Sequence, residues 1–230
     1  MLATRPRFAF TDVDHTLLRV STLHHFGEYF FETTRRTEVL STHRTRMQRL
    51  AETGADRETL NRSYYLLWSG IPVREVDTAA VAWHDALRAG GLYRASVVER
   101  LRALRAEGVE TVLVSGSFRA CLRPIEYELG CAAVLCTDLE EHDGVFTGAV
   151  RKSLIGAAKR AEVESFVSGY PDHDLAGDFG FGDHISDVPV LESVGHPAVV
   201  PVDPALESVA RERGWEVLRD DEEASRRHER

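Results

Sequence analysis

Short apolar runs alternate with amphipathic stretches along most of the chain. Residues 7–11 form one apolar run, and residues 111–114 and 132–135 form two more. In residues 96–107, by contrast, apolar side chains recur every three or four positions, the period of a helix with one buried face. This alternation predicts an α/β fold, a Rossmann-like, mainly parallel sheet with helices on both faces.

The same alternation continues towards the end of the chain. Residues 139–150 predict a hairpin that turns at Asp143-Gly144. Further strands are predicted over 179–181 and 198–200, and further helices over 119–129 (interrupted at Pro124), 157–167, 186–194 and 205–213.

Residues 21–90 have a different character, and we call them the insertion. No strand-like run occurs there, and apolar residues at helical spacing, broken near Gly54 and Gly70, predict several helices. A chain of 230 residues is long for one minimal domain. We therefore expect a core domain over 1–20 and 91–218, a helical domain over 21–90, and a solvated polar tail over 219–230.

Composition narrows the classes of function. The net charge of −9 argues against a nucleic-acid partner. The sequence has no apolar run of the ~20 residues that a membrane span needs, and its first residues do not resemble a secretory leader. Three cysteines without a Cys-x-x-Cys pair predict reduced thiols. We therefore expect a cytoplasmic protein without a membrane partner.

Polar residues cluster where predicted strands end, the edge at which parallel sheets bind ligands. Asp12 and Asp14 follow the first strand, and residues two apart in an extended chain point the same way, so both carboxylates can face one pocket. Ser115 follows the second strand, beside Gly116, which lets a ligand approach the backbone.

A second acidic pair follows a later strand. Asp183 and Asp187 are one helical turn apart, and Lys159 lies on the helix before them. Clustered carboxylates are tolerable around a hard cation such as Mg²⁺, and this cation with a lysine and a serine hydroxyl suits a phosphoryl group. One carboxylate can then act as nucleophile and another as general acid and base.

These segments together resemble the four motifs of the haloacid dehalogenase superfamily. The run Phe10-Thr11-Asp12-Val13-Asp14-His15-Thr16-Leu17-Leu18 is similar to motif I, Asp-x-Asp-x-Thr. Val114-Ser115-Gly116-Ser117 resembles motif II, Lys159 the motif III lysine, and Gly182-Asp183-His184-Ile185-Ser186-Asp187 motif IV. The run that continues to Pro197 resembles subfamily IB, the phosphoserine-phosphatase-like branch.

The resemblance implies a role for each of these residues. Asp12 would be the nucleophile and a Mg²⁺ ligand, and Asp14 the general acid and base, binding Mg²⁺ through its carbonyl. The other implied roles are phosphate binding for Ser115, Gly116 and Lys159, Mg²⁺ binding for Asp183, and support of the metal for Asp187. The insertion would be a C1 cap, and the activity a Mg²⁺-dependent hydrolysis of a small phosphorylated metabolite through an aspartyl-phosphate.

Three positions depart from the family pattern. His15 stands where small or acidic residues are usual, and His184 where serine or glycine is frequent. Ser21 occupies the position of a glutamate that reads the amino acid in phosphoserine phosphatases, which disfavours phosphoserine as substrate. Two other functions stay open at this point: a phosphotransferase to a small alcohol, and an inactive module that binds phosphate or metal.

Overall fold

A seven-stranded sheet forms the centre of the protein in a computed structural model that describes residues 6–220. Its strand order is β4-β3-β2-β1-β5-β6-β7, and only β4 runs antiparallel to its neighbour. The strands are β1 (Arg7–Thr11), β2 (Val109–Phe118), β3 (Ala133–His142), β4 (Val145–Lys152), β5 (Phe179–Gly182), β6 (His196–Val199) and β7 (Glu216–Val217). The predicted α/β fold is confirmed.

Helices connect these strands and supply the insertion between β1 and β2. The insertion contains α1 (Thr22–Thr33), α2 (Thr37–Glu52), α3 (Arg57–Tyr64) and α4 (Val73–Ala89). The other helices are α5 (Ala95–Ala106), α6 (Arg119–Leu129), α7 (Ala157–Val167), α8 (Val188–Leu191) and α9 (Pro204–Arg213). The all-helical nature of the insertion is confirmed, and its domain boundaries stay predictions. Among residues 6–220, no helix is both long and apolar enough to cross a bilayer.

Several predicted elements differ in extent from the observed ones. β2 and β3 are longer than the apolar runs that predicted them, because β2 continues to Phe118 by pairing with β3, and β3 continues into the hairpin with β4. α6 runs through Pro124 without interruption, held by the buried side chains of Cys121, Leu122 and Ile125. α8 ends at Leu191, earlier than predicted. β7 has only two residues, too few for a pattern to predict.

The insertion is joined to the sheet by one continuous core. Trp68 packs against Phe26 from α1 and against Phe118 from β2, with ring centroids 5.4 and 5.1 Å apart. Backbone hydrogen bonds add a second junction, since Gly70 N donates to Phe146 O at 2.8 Å and Phe146 N donates to Ile71 O at 3.0 Å. The insertion is therefore held by more than its two chain connections.

The polar run at the end of the chain differs from its prediction. Asp220 was predicted to lie in a solvated tail, yet it is only 4% exposed and contacts the start of α5. The burial has a physical basis, because hydrogen bonds and arginines surround its carboxylate. Residues 1–5 of the predicted core and 221–230 of the predicted tail lie outside the described residues.

Candidate active site

The predicted site residues meet at the carboxyl ends of the central strands. β1 lies between β2 and β5, so Asp12, Ser115 and Asp183 come from three adjacent strands. Asp12 N donates to Phe181 O at 2.9 Å, which ties the end of β1 to β5. A cavity of about 340 Å³ opens there, and its lining includes Asp12, Asp14, Ser115, Gly116, Lys159, Asp183 and Asp187.

Lys159 lies between two carboxylates. It comes from the first turn of α7, and its Nζ donates to Asp12 Oδ1 at 2.6 Å and to Asp187 Oδ1 at 2.8 Å. Burial alone would lower the pKa of Lys159, but the two carboxylates outweigh it and raise the pKa above its ordinary value. The ammonium therefore remains charged beside Asp12.

Three carboxylates form a compact buried cluster. Oxygen atoms of Asp12, Asp183 and Asp187 lie within 4.8 Å of one another. Thr16 Oγ1 donates to Asp183 Oδ1 at 2.8 Å and lies 3.4 Å from Asp12 Oδ2. Gly182 allows the side chain of Asp187 to lie against the end of β5, because a Cβ at residue 182 would lie 2.7 Å from Cβ of Asp187.

The charges of this cluster fit a cation. Burial raises the pKa of Asp12 well above its ordinary value; Lys159 opposes the shift, and the neighbouring carboxylates add to it. The pKa of Asp183 is also raised, by burial and by Asp187. One ammonium against three buried carboxylates leaves negative charge uncompensated, and a hard divalent cation with oxygen ligands would offset it. The cluster therefore has the composition of a metal site.

Asp14 also lines the cavity, but its carboxylate faces the insertion. It accepts hydrogen bonds from Ser21 Oγ at 2.8 Å, Thr22 N at 2.9 Å and Thr22 Oγ1 at 2.6 Å. The simple alternation expected of an extended chain does not hold here, because residues 13–17 form an irregular helical turn. Asp14 thus joins the site to the start of α1.

Ser115 and Gly116 lie in an irregular stretch of β2. The pairing of β2 with β3 shifts between Ser115 and Phe118, and Ser115 Oγ accepts from Ser117 N at 3.1 Å. We call residues 115–117 the phosphate loop, after the role that the motif implies. This loop is part of the strand, whereas the sequence placed it after the strand end.

The phosphate loop is held by residues that sequence reasoning missed. Gly116 O accepts from Tyr65 OH at 2.7 Å, Thr137 Oγ1 at 2.8 Å and Asn61 Nδ2 at 3.3 Å. Tyr65 and Asn61 belong to the insertion and Thr137 to β3, so their partner is far away in sequence. No local pattern marks such contacts, and only the fold reveals them.

The insertion also supplies the outer wall of the cavity. Arg57, at the start of α3, donates to His184 Nδ1 at 2.7 Å and lies 3.3 Å from Ser186 Oγ. His184 Nδ1 also accepts from Ser186 N, so this nitrogen is directed away from the carboxylate cluster. His15 is exposed at the rim. The other insertion residues in the lining are Ser21, Leu23, His24, Met47, Leu60, Asn61 and Tyr64.

Known proteins share this sequence and fold. A family model described as haloacid dehalogenase-like hydrolase matches residues 9–192. A probable phosphatase of Mycobacterium tuberculosis is 30% identical over 221 residues, covering 91% of this chain and 74% of the relative. A phosphoserine phosphatase of the same species is 26% identical over 215 residues, covering 91% of this chain and 69% of the relative.

Solved structures agree on the fold. A Bordetella pertussis protein of unknown function superposes with a TM-score of 0.80 at 24% identity, covering 94% of this chain and 99% of its own. A phosphoserine phosphatase solved as a phospho-aspartyl intermediate analogue gives a TM-score of 0.64 at 20% identity, covering 89% of this chain and 91% of its own. The family model spans most of this chain, and the chain therefore belongs to the haloacid dehalogenase-like hydrolases, close to the phosphoserine phosphatases.

Proposed function

We propose that this hydrolase is a Mg²⁺-dependent phosphomonoesterase that acts on a small phosphorylated metabolite through an aspartyl-phosphate at Asp12. The observation that carries the proposal is the contact between Asp12 and Lys159 inside the buried carboxylate cluster. A nucleophilic carboxylate beside a fixed ammonium and a cation site suits phosphoryl transfer, which depends mainly on positioning and charge neutralisation.

The reaction has two displacements at phosphorus. A carboxylate oxygen of Asp12 forms a bond to phosphorus, while the bond from phosphorus to the substrate alkoxide oxygen breaks. Asp14, in its protonated form, gives that oxygen its proton, so the alcohol leaves neutral. Water then attacks the aspartyl-phosphate, Asp14 takes a proton from it, and inorganic phosphate and free Asp12 result.

The remaining residues hold the phosphoryl group. Lys159, Ser115 and Gly116 line the same cavity as Asp12. The ammonium and the Ser115 hydroxyl would bind the phosphoryl oxygens, and Gly116 would let those oxygens approach the backbone. A bound Mg²⁺ would supply positive charge to the phosphoryl oxygens and to the cluster. We propose that Asp12, Asp183 and the Asp14 carbonyl would hold it, with Asp187 in support. The carboxylate composition of the cluster favours such a hard cation.

The cavity lining also bears on the substrate. Within the described lining, the carboxylates are Asp12, Asp14, Asp183 and Asp187, and all of them belong to the predicted core. The insertion contributes imidazole, guanidinium, amide, hydroxyl and apolar groups. Ser21 donates to Asp14, and its hydroxyl carries no charge to attract an ammonium. A substrate whose organic part is neutral or anionic therefore fits better than phosphoserine, whose ammonium would meet no carboxylate from the insertion within the described lining.

The test is a phosphate-release assay on the purified protein with p-nitrophenyl phosphate and a panel of phosphorylated metabolites. Asp12→Asn should lower kcat by about 10³-fold or more, since it removes the nucleophile and keeps the shape of the side chain. Chelation of Mg²⁺ should likewise abolish turnover, and its return should restore it.

The Asp138→Asn variant is a suitable control, because that carboxylate is exposed and pairs with Arg151 on the surface. It should retain wild-type activity. Turnover that survives both Asp12→Asn and chelation would contradict the mechanism, and a strong preference for phosphoserine within the panel would contradict the substrate class.

A further inference from the structure

The buried carboxylate of Asp220 lies outside the carboxylate cluster, in a part of the chain that the mechanism does not use. Its Oδ1 accepts from Ser96 N at 3.0 Å and from Ser96 Oγ at 2.8 Å, at the start of α5. Its Oδ2 pairs with Arg19 at 2.8 Å and with Arg94 at 3.3 Å. Burial opposes ionisation, but these hydrogen bonds and charges lower the pKa of Asp220, so it is a fixed anion.

Arg94 connects this anion to the active site. Its side chain is 8% exposed, and its Nε donates to the backbone carbonyl of His15 at 2.9 Å. A buried guanidinium is stable only with a partner charge, and Asp220 supplies one to Nη1, while Nε bonds to His15. The planar guanidinium fixes the direction of both contacts at once.

The carbonyl that Arg94 holds belongs to a strained residue. His15 has φ 60° and ψ −8°, the left-handed conformation that side chains other than glycine seldom adopt. Such a conformation persists only where its surroundings hold it. Its neighbours are Asp14 and Thr16, whose side chains bond to α1 and to Asp183. A shift of the backbone at His15 would therefore move the side chains of Asp14 and Thr16.

We propose that Arg94, oriented by Asp220, is a positioning residue for the nucleophile loop, residues 12–16. It touches no group of the carboxylate cluster and acts by holding the His15 carbonyl, which sets the direction of the chain between Asp14 and Thr16. The role of Arg94 in catalysis rests on the proposed function, whereas its restraint of the nucleophile loop is independent of that function.

The chain provides a matched pair of variants. Arg94→Ala removes the contact to the His15 carbonyl, whereas Arg19→Ala removes the other arginine on Asp220 and leaves that carbonyl bonded. Each variant removes one of the two arginines that pair with Asp220. Arg94→Lys keeps a positive charge near Asp220 but cannot bond to Asp220 and to the His15 carbonyl in one plane. It replaces Arg94→Ala in the experiments below if that variant does not fold.

Hydrogen exchange of the peptide covering residues 12–17 measures the restraint directly, without a substrate. Arg94→Ala should speed exchange there by about tenfold, while Arg19→Ala should leave it near the wild-type rate. Equal exchange in the two variants would overturn the proposal, whatever their activities.

Kinetics on p-nitrophenyl phosphate then test the consequence. Arg94→Ala should lower kcat by about tenfold to a hundredfold with KM nearly unchanged, because the phosphate loop and Lys159 are left in place. Millimolar guanidinium should restore part of kcat in this variant and none in Arg19→Ala. Loss of kcat to the same extent in both, or no restoration, would overturn the catalytic part. A wild-type protein that released no phosphate would refute the proposed function alone, since the exchange result would still stand.

Discussion

At the scale of single residues, Asp14 offers the sharpest test of the proposed chemistry. Its carboxylate accepts three hydrogen bonds, two of them from Thr22 on Oδ1. The oxygen of an amide can keep the two bonds from Thr22, and its NH₂ can donate to the Ser21 hydroxyl, without supplying an acidic proton. We expect Asp14→Asn to lower kcat/KM by about 10²- to 10⁴-fold on an alkyl phosphate, whose alkoxide needs protonation. The loss of kcat/KM should be much smaller on p-nitrophenyl phosphate, since nitrophenolate leaves without a proton. kcat should fall on both substrates, because Asp14 also takes a proton from water in the second displacement.

Steady-state kinetics on the two substrates, with the melting temperature as a check on folding, decide this prediction. Equal losses of kcat/KM on both substrates would assign Asp14 a structural role instead, as an anchor for Ser21 and Thr22 at the start of α1.

The same scale shows what sequence could and could not predict. Asp12, Ser115 and Asp183 are predicted from their places after strands, and Lys159 from its place on the helix before Asp183. The structure brings all four to one cavity, because the carboxyl ends of parallel strands share one edge. The direction of the Asp14 carboxylate was not predictable. It depends on a turn at residues 13–17 that the local pattern does not reveal.

At the scale of elements, the insertion forms hydrogen bonds to the phosphate loop. Tyr65 and Tyr64 are adjacent buried tyrosines, but only Tyr65 OH donates to Gly116 O, while Tyr64 OH donates to Leu23 O. Both hydroxyls are buried, so the two changes to phenylalanine should each cost about 1 kcal/mol of unfolding free energy. Only Tyr65→Phe should disturb phosphate binding.

Inhibition by inorganic phosphate measures that difference. We expect Tyr65→Phe to raise the inhibition constant by about three- to tenfold, the equivalent of roughly 1 kcal/mol, and Tyr64→Phe to leave it near the wild-type value. Melting temperatures of the two variants control for stability. A similar rise in both inhibition constants would mean that the insertion does not position the loop through Gly116.

The extents of elements show a related limit of sequence reasoning. Helix and strand periods gave α7 its observed bounds and placed the hairpin turn at Asp143-Gly144 correctly. They ended β2 too early, because the polar run Ser115-Gly116-Ser117 is typical of a turn. In the structure, pairing with β3 keeps that run within the strand. Long-range pairing thus overrides a local signal, as it does where packing carries α6 through Pro124.

At the scale of the whole molecule, stability should depend on pH through a buried histidine of the insertion. Burial, with help from Arg46 and His24, lowers the pKa of His43 from 6.5 to about 4, and its Nε2 has no hydrogen-bond partner among the described residues. The unfolded chain binds a proton at His43 below pH 6.5, while the folded chain stays neutral there until about pH 4. This group therefore favours unfolding increasingly as pH falls through that window.

Comparison with a variant that lacks His43 isolates the effect. His43→Gln should make the decline in unfolding free energy between pH 7 and pH 5 smaller by about 2 kcal/mol, whereas His142→Gln, at an exposed position, should not change the decline. Denaturant unfolding at several pH values measures both. Parallel pH profiles for wild type and His43→Gln would show that His43 titrates normally in the folded state.

Metal binding should also change the stability of the whole molecule, independently of His43. Asp12, Asp183 and Asp187 repel one another, and the Lys159 ammonium that pairs with Asp12 and Asp187 offsets this in part, so the metal-free fold carries an electrostatic cost that a cation removes. Ligand at about 100 times its dissociation constant stabilises a fold by about 2.7 kcal/mol. We therefore expect Mg²⁺ to raise the melting temperature of the wild type, and chelation to reverse the rise.

Asp183→Asn separates metal binding from catalysis, because it removes one charge and keeps an oxygen that can accept from Thr16. In chelator the variant should melt at a higher temperature than the wild type, since the repulsion is smaller. In Mg²⁺ it should gain little, since a charged ligand is lost. The difference between the two melting temperatures should therefore shrink, or change sign, when Mg²⁺ is added. A variant that is less stable in chelator and still stabilised by Mg²⁺ as strongly as the wild type would place the cation elsewhere.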